Sequence, residues 1–191
     1  MAGKVIILSA PSGSGKSTII NAVMSTGRLN LKFSVSATNR APRGAEQNGI
    51  DYHFLATEDF RNLVENDEFL EYEEVYPGRY YGTLKSEIKR ISDEGADVIM
   101  DIDVNGALRV KEKLGSDALA VFILPPSVDE LRNRLEARAT DSAESIDARI
   151  ERAKYEIAQA DKFDITIVND NLQQAIEETE SAINAYLNAD I

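Results

Sequence analysis

Apolar positions follow two rhythms along this chain, and the two alternate. Val5-Ile6-Ile7-Leu8, Val98-Ile99-Met100 and Ala118 to Leu124 are short continuous apolar runs, and Ile165-Thr166-Ile167-Val168 is a fourth, mostly apolar segment. Such runs are too brief for helices, and three of the four are rich in β-branched residues, so they predict strands buried on both faces. Between them apolar residues recur every three or four positions: Ile19, Ile20, Val23 and Met24; Leu84, Ile88 and Ile91; and a helical stretch from Val104 to Leu114. Further helices are expected on Val128, Leu131 and Leu135, on Ile146, Ile150, Ala153 and Ile157, and on Leu172, Ile176, Thr179, Ile183 and Leu187. Gly95 ends one of these segments and Pro125-Pro126 stops a strand. Apolar strands alternating with amphipathic helices predict an α/β fold, a mostly parallel sheet flanked by helices.

The middle of the chain breaks this rhythm. Phe33-Ser34-Val35-Ser36 reads as a strand, and 37–44 as a basic loop with a Pro and a Gly. Asn48-Gly49 is a hairpin-turn dipeptide ahead of a strand around Tyr52 and Phe54. Thr57 is expected to cap a short helix running to Val64. Strands at Phe69–Tyr72 and Tyr80–Thr83 are separated by a Pro77-Gly78 turn. Residues 34–83 thus form a mostly β excursion, and 127–155 hold two helices around the polar break Ala139-Thr140-Asp141-Ser142.

The first strand leads into chemistry. Ala10-Pro11-Ser12-Gly13-Ser14-Gly15-Lys16-Ser17-Thr18 follows it directly and opens the first helix. That strand–loop–helix setting is the one a phosphate-binding loop requires, with backbone N–H groups converging on an anion. Lys16 adds a full positive charge, and the Ser17 hydroxyl suits a magnesium ion accompanying a nucleoside triphosphate. The pattern normally opens with Gly, and Ala10 is tolerable there if its φ is negative.

Composition narrows the rest. The 191 residues fit one domain, and a net charge of −12 argues against broad binding to nucleic acid or an anionic membrane. A phosphate ligand must therefore be met by locally gathered Lys and Arg. With no cysteine and one histidine, thiolate chemistry, disulfides and multi-His metal sites are excluded. His53 reads as an ordinary strand position. The N-terminal apolar run is too short for a signal-peptide core or a span, so a cytoplasmic location is expected.

Three further clusters stand out. Arg40 and Arg43, beside Ser36 and ahead of Tyr52, form either a second anion site or a solvated loop. Asp101 and Asp103, two apart at the end of a strand, are expected to share one face where ligands of open sheets bind, with Asp101 reaching magnesium through water. Arg134, Arg138 and Arg149 lie on the 127–155 helices, where they could close over a triphosphate or simply pair with Glu136, Glu144 or Glu151.

Taken together, Ser-Ala-Pro-Ser-Gly-Ser-Gly-Lys-Ser-Thr (9–18), Phe-Ser-Val-Ser-Ala-Thr-Asn-Arg-Ala-Pro-Arg (33–43) and Asn-Gly-Ile-Asp-Tyr-His-Phe (48–54) resemble guanylate kinase. So do Glu-Phe-Leu-Glu-Tyr (68–72), Tyr-Tyr-Gly-Thr (80–83), Asp-Ile-Asp-Val-Asn-Gly (101–106) and Pro-Pro-Ser (125–127). The resemblance implies an ATP:GMP phosphotransferase with a core (1–33, 84–126, 156–191), a GMP-binding region (34–83) and a lid (127–155). It implies that Arg40, Arg43, Tyr52 and Tyr81 take the GMP phosphate, and that Ser36, Glu71 and Thr83 take guanine, with Asp103 nearby. Lys16, Arg40, Arg134, Arg138 and Arg149 become the catalytic cations, and Asn169 joins the adenine region. Magnesium is the implied cofactor, ATP and GMP are the substrates with dGMP as a further acceptor to test, and the protein is a monomer or small homo-oligomer. Departures are Ala10, Ala139 where the lid motif often has glycine, and a slightly lengthened turn at Pro77-Gly78. The rivals are a non-catalytic protein-binding module of the same likeness and a sugar-phosphate kinase.

Overall fold

The computed structural model describes residues 3–137 and 143–189, so Arg138 and the break at Ala139-Thr140-Asp141-Ser142 lie outside the described residues. Five strands form the central sheet: β1 (Val5–Ser9), β2 (Leu31–Phe33), β7 (Asp97–Asp101), β8 (Ala118–Leu124) and β9 (Ile165–Val168). Their order is β2-β7-β1-β8-β9 and every pairing is parallel. Each of the inner strands splits its side chains between two cores. Val5 and Ile7 of β1 join Val98, Met100, Ala120 and Phe122 on one face, while Ile6 and Leu8 join Ile99, Val121 and Ile123 on the other. The period of two therefore explains why the runs are apolar throughout.

Helices cover both faces. On one, α3 (Lys85–Asp93) and α4 (Val104–Leu114) contribute Ile91, Val104, Ala107 and Val110. On the other, α1 (Lys16–Ser25) and α7 (Leu172–Leu187) contribute Ile19, Ile20, Val23, Ala175 and Ile183. The last helix faces inward on Ala175, Thr179 and Ile183, and Leu172, expected on that face, is exposed in the first turn. Helices α5 (Val128–Ala137) and α6 (Ala143–Ile157) pack on each other through Leu131, Leu135, Ile146, Ile150 and Ala153.

A second sheet, ordered β4-β3-β6-β5, holds β3 (Ala37–Thr38), β4 (His53–Phe54), β5 (Phe69–Tyr76) and β6 (Arg79–Leu84). Phe60 of α2 (Thr57–Glu65) stacks on Phe69 with ring centroids 4.5 Å apart and closes a small core with Ala37. Strand β5 and β6 form an antiparallel hairpin across Pro77-Gly78.

Four local expectations are corrected. The strand at Phe33–Ser36 ends at Phe33, because the next residues cross between sheets and each bonds a different element. The Ser34 N–H goes to Ile99, the Val35 N–H to the Glu87 carboxylate, and the Ser36 carbonyl accepts from His53. Asn48-Gly49 makes a turn, with Gly49 at φ 77°, but no hairpin follows; β4 joins β3 in parallel. Thr57 is the first helical residue of α2, not its cap, and its hydroxyl accepts from Asn39 Nδ2 at 3.0 Å. Finally, β7 ends at Asp101, and Asp103 caps α4 by accepting from the N–H groups of Asn105 and Gly106. The cap satisfies two otherwise orphaned donors, which ends the strand two residues early.

Candidate active site

The carboxyl ends of β1 and β7 open onto a cleft of about 620 Å³. One wall is the loop after β1. Ala10, Pro11, Ser12, Gly13, Gly15, Lys16, Ser17 and Thr18 line it, while Ser14 is buried behind. Gly13 and Gly15 have φ of 97° and 89°, a region an L side chain rarely adopts. Among the described residues Asp67 is the one non-glycine with positive φ, so Ala10 carries its Cβ without that strain. Gly15 precedes α1 without a side-chain cap, which leaves the first N–H groups of the helix to an anion.

Asn169, beyond the end of β9, is buried and donates its amide to the Ser14 carbonyl at 2.7 Å. A Cβ on Gly15 would run into that same amide. The side chain that the resemblance assigns to the adenine region thus sits under the phosphate loop. Its own carbonyl accepts from Arg134 at 3.2 Å.

Lys16 forms an ion pair with Asp101, and Ser17 Oγ donates to the same carboxylate at 3.3 Å. Burial pulls the Lys16 ammonium down to about 8, while Asp103 and Glu156 pull it back up. The contact with Asp101 acts in that raising direction too. Asp103 lines the cleft despite its capping role.

The facing wall comes from the second sheet and the segments that lead into its strands: Ser36, Arg43, Tyr52, Glu71 and Tyr81. Glu71 is 4% exposed and accepts from the Thr83 hydroxyl at 2.8 Å, with Thr83 fully buried behind it. Burial pushes Glu71 up to about 7 against the hydrogen bond from Thr83, and Asp103 pushes the same way. Gly106 leaves room beside it, since a Cβ there would stand 2.7 Å from Glu71 Oε2. A carboxyl group held this way accepts hydrogen bonds and has no room for a bulky neighbour.

Not every expected residue lines the cleft. Arg40 is almost fully enclosed, with both terminal nitrogens on Glu46 at 2.6 and 2.8 Å and Nε on the Tyr81 hydroxyl at 3.1 Å. Its guanidinium lies 4.8 Å from the Tyr52 ring centre. Glu46 also accepts from the Arg43 N–H at 2.7 Å, and the Arg40 hydrogen bonds hold it down to about 2. Arg134 is paired with Glu130 at 2.9 Å instead of facing the cleft, whereas Arg149 lines it.

Several lining residues escaped the sequence reading: Arg79, Val75 and Tyr76 of the β5–β6 hairpin, and Arg152 and Glu156 of α6. Arg152 and Glu156 carried a legible signal, an opposite-charge pair one turn apart, but such pairs are common on solvated helices. Glu46 carried no such signal: nothing in the pattern singles it out from other surface carboxylates.

Among the described residues no helix is long and apolar enough to cross a membrane. The Guanylate kinase family model matches residues 2–186. Guanylate kinase of Porphyromonas gingivalis is 54% identical over 184 residues, 96% of this chain and 98% of that protein. That of Bacteroides thetaiotaomicron is 53% identical over 98% of this chain and 92% of its own. Among solved structures, guanylate kinase from Anaplasma phagocytophilum superposes with a TM-score of 0.79 at 30% identity, covering 98% of this chain and 88% of that one. With the phosphate loop and the buried Glu71 on facing walls of one cleft, and a match running nearly end to end, the chain belongs to the guanylate kinase family.

Proposed function

We propose that this enzyme transfers the γ-phosphoryl group of ATP to GMP, giving ADP and GDP. The observation that carries the reading is a single cleft with the phosphate loop on one wall and the buried Glu71–Thr83 pair on the other. Guanine offers N–H donors at N1 and N2, which a carboxylate accepts; adenine offers a bare acceptor at N1. A buried group left facing a lone pair rejects the wrong base by up to ~10⁴-fold. Ser36 and Asp103 line the same cleft, and we assign them to complete the base pocket.

Arg43, Tyr52 and Tyr81 are the groups we assign to the acceptor phosphate. Arg40 supports them by holding Tyr81 and Tyr52, and it can reach a phosphate itself only by exchanging Glu46 for it. Lys16 and Arg149 serve the transferring group, with Arg134 and Arg138 as further lid cations. The reaction asks for no general base, because a phosphate monoester with a second pKa near 6 is largely ionised at neutrality. The obstacle is repulsion between anions, met by positioning and by fixed cations in a closed cleft.

Magnesium fits the donor set. It prefers hard oxygens and keeps several waters, so few protein ligands suffice. Ser17 Oγ and the Asp101 carboxylate are such oxygens, the first for direct contact and the second through water. When bound, the ion neutralises charge between the β- and γ-phosphates.

We assign 1–33, 84–126 and 156–191 to the core, 34–83 to GMP binding and 127–155 to the lid. The cytoplasm is its expected place. ADP release driven by GMP in the presence of MgATP tests the proposal.

A further inference from the structure

The register of the β5–β6 hairpin slips by one residue near its tip. Glu74 pairs with Tyr80 and Tyr76 with Arg79, so Val75 is the extra residue of a bulge. A bulged residue leaves the ladder, and its carbonyl is turned toward other partners. That carbonyl accepts from Arg152 of α6 at 3.2 Å. The same guanidinium lies 5.9 Å from the Tyr76 ring centre and donates from Nε to Glu156 at 2.8 Å. One turn further along α6, the Tyr155 hydroxyl meets Asn105 of α4 at 3.1 Å.

The Arg152 contacts join α6 to the second-sheet wall of the cleft, and the Tyr155 contact joins it to α4. Arg152 is three residues from Arg149 on the same helix, so the two lie on one face, and both line the cleft with Glu156. Glu156 is nearly buried and is electrostatically coupled to Lys16 of the phosphate loop. We propose that Arg152 is a positioning residue for phosphoryl transfer. It latches α6 onto the bulge at Val75 and the Tyr76 ring, and so fixes Arg149 and Glu156 against the phosphate loop when both nucleotides are bound.

The inference rests on the phosphotransferase reading above, and its test separates the two. Arg152→Ala, Arg152→Lys and Tyr76→Ala are compared with wild type for kcat, for the KM of each substrate, for binding of GMP alone and for binding of a bisubstrate analogue. The latch contacts are already formed in this structure, and they bear on catalysis through Arg149 and Glu156, which do their work once both nucleotides are in place. Arg152→Ala is therefore expected to lower kcat and bisubstrate affinity by about tenfold each, with GMP binding alone and the melting temperature little changed. Arg152→Lys keeps a donor and should recover part of the loss. Tyr76→Ala in the Arg152→Ala background should cost far less than in wild type, because both act through one contact. Unchanged kcat and bisubstrate affinity in Arg152→Ala overturns the proposal. A fall in GMP binding and melting temperature that accounts for the whole loss of kcat overturns it as well. Absence of GMP-driven ADP release in wild type would instead overturn the functional reading.

Discussion

Thr83 donates its hydroxyl to Glu71 at 2.8 Å, and both side chains are buried at the edge of the cleft. That bond fixes one carboxyl oxygen and leaves the other beside Gly106, where a Cβ would crowd it at 2.7 Å. A carboxylate set this firmly reads a hydrogen-bond donor pattern. Glu71→Gln replaces an acceptor by a donor at the base edge. The GMP KM is expected to rise by about a hundredfold or more while the ATP KM stays within about threefold, measured by steady-state kinetics. An unchanged GMP KM would remove Glu71 from base recognition.

The same residue ties stability to pH. Its ordinary value of 4.5 is raised to about 7 by burial. Below about 4.5 it is neutral in both states; between about 4.5 and 7 the unfolded chain gives up a proton that the folded one keeps. Stability of the nucleotide-free protein should therefore fall as pH rises through that window, and the fall should be complete above about 7. Glu71→Gln escapes this. It should be more stable than wild type at pH 8 by on the order of 3 kcal/mol, with the gap closing toward pH 4.5. Thermal melts of both proteins across that range check the sign.

Glu46 is expected to matter to the acceptor phosphate without touching it. It clamps Arg40 with two hydrogen bonds and also accepts from the Arg43 N–H. Glu46→Ala should raise the GMP KM about tenfold through lost orientation of Arg40 and Tyr81, and leave the ATP KM near wild type. Glu46→Gln, which keeps the acceptor for Arg43, should fall between.

Asn169 secures the phosphate loop from below. Asn169→Ala strands the buried Ser14 carbonyl, a cost of roughly 1–3 kcal/mol, which calorimetry would register as a lower melting temperature. The ATP KM should rise several-fold as the loop loosens. Loss of stability with an unchanged ATP KM would show that the loop holds its shape without this bond.

The architecture was legible because central strands carry apolar residues on both faces and the covering helices on one. The runs at Ala118–Leu124 and Ile165–Val168 coincide with β8 and β9, and Val104–Leu114 with α4. What failed was local competition. Asp103 looked like the end of a strand because nothing in a pattern of apolar residues distinguishes a strand carboxylate from a helix cap. Phe33–Ser36 looked continuous because its crossing between two sheets is decided by Glu87 and His53, residues distant in sequence.

The site divides in the same way. The loop from Ala10 to Thr18 is contiguous and carries its chemistry in its order. Glu71 became readable only through the motif around it, and Glu46, Arg152 and the bulge at Val75 depend on pairings that spacing does not encode. Arg40 shows the limit well: its type and position were legible, but not that Glu46 already occupies its fork.

The most direct measurement is release of ADP from MgATP with GMP, AMP and ribose 5-phosphate offered separately as acceptors. The two-wall cleft requires rapid ADP release with GMP, a rate lower by about a thousandfold or more with AMP, and none above background with the sugar phosphate. Release with ribose 5-phosphate equal to that with GMP would contradict base reading by Glu71. No GMP-dependent release at all would contradict phosphoryl transfer and leave a nucleotide-shaped module that binds without reacting.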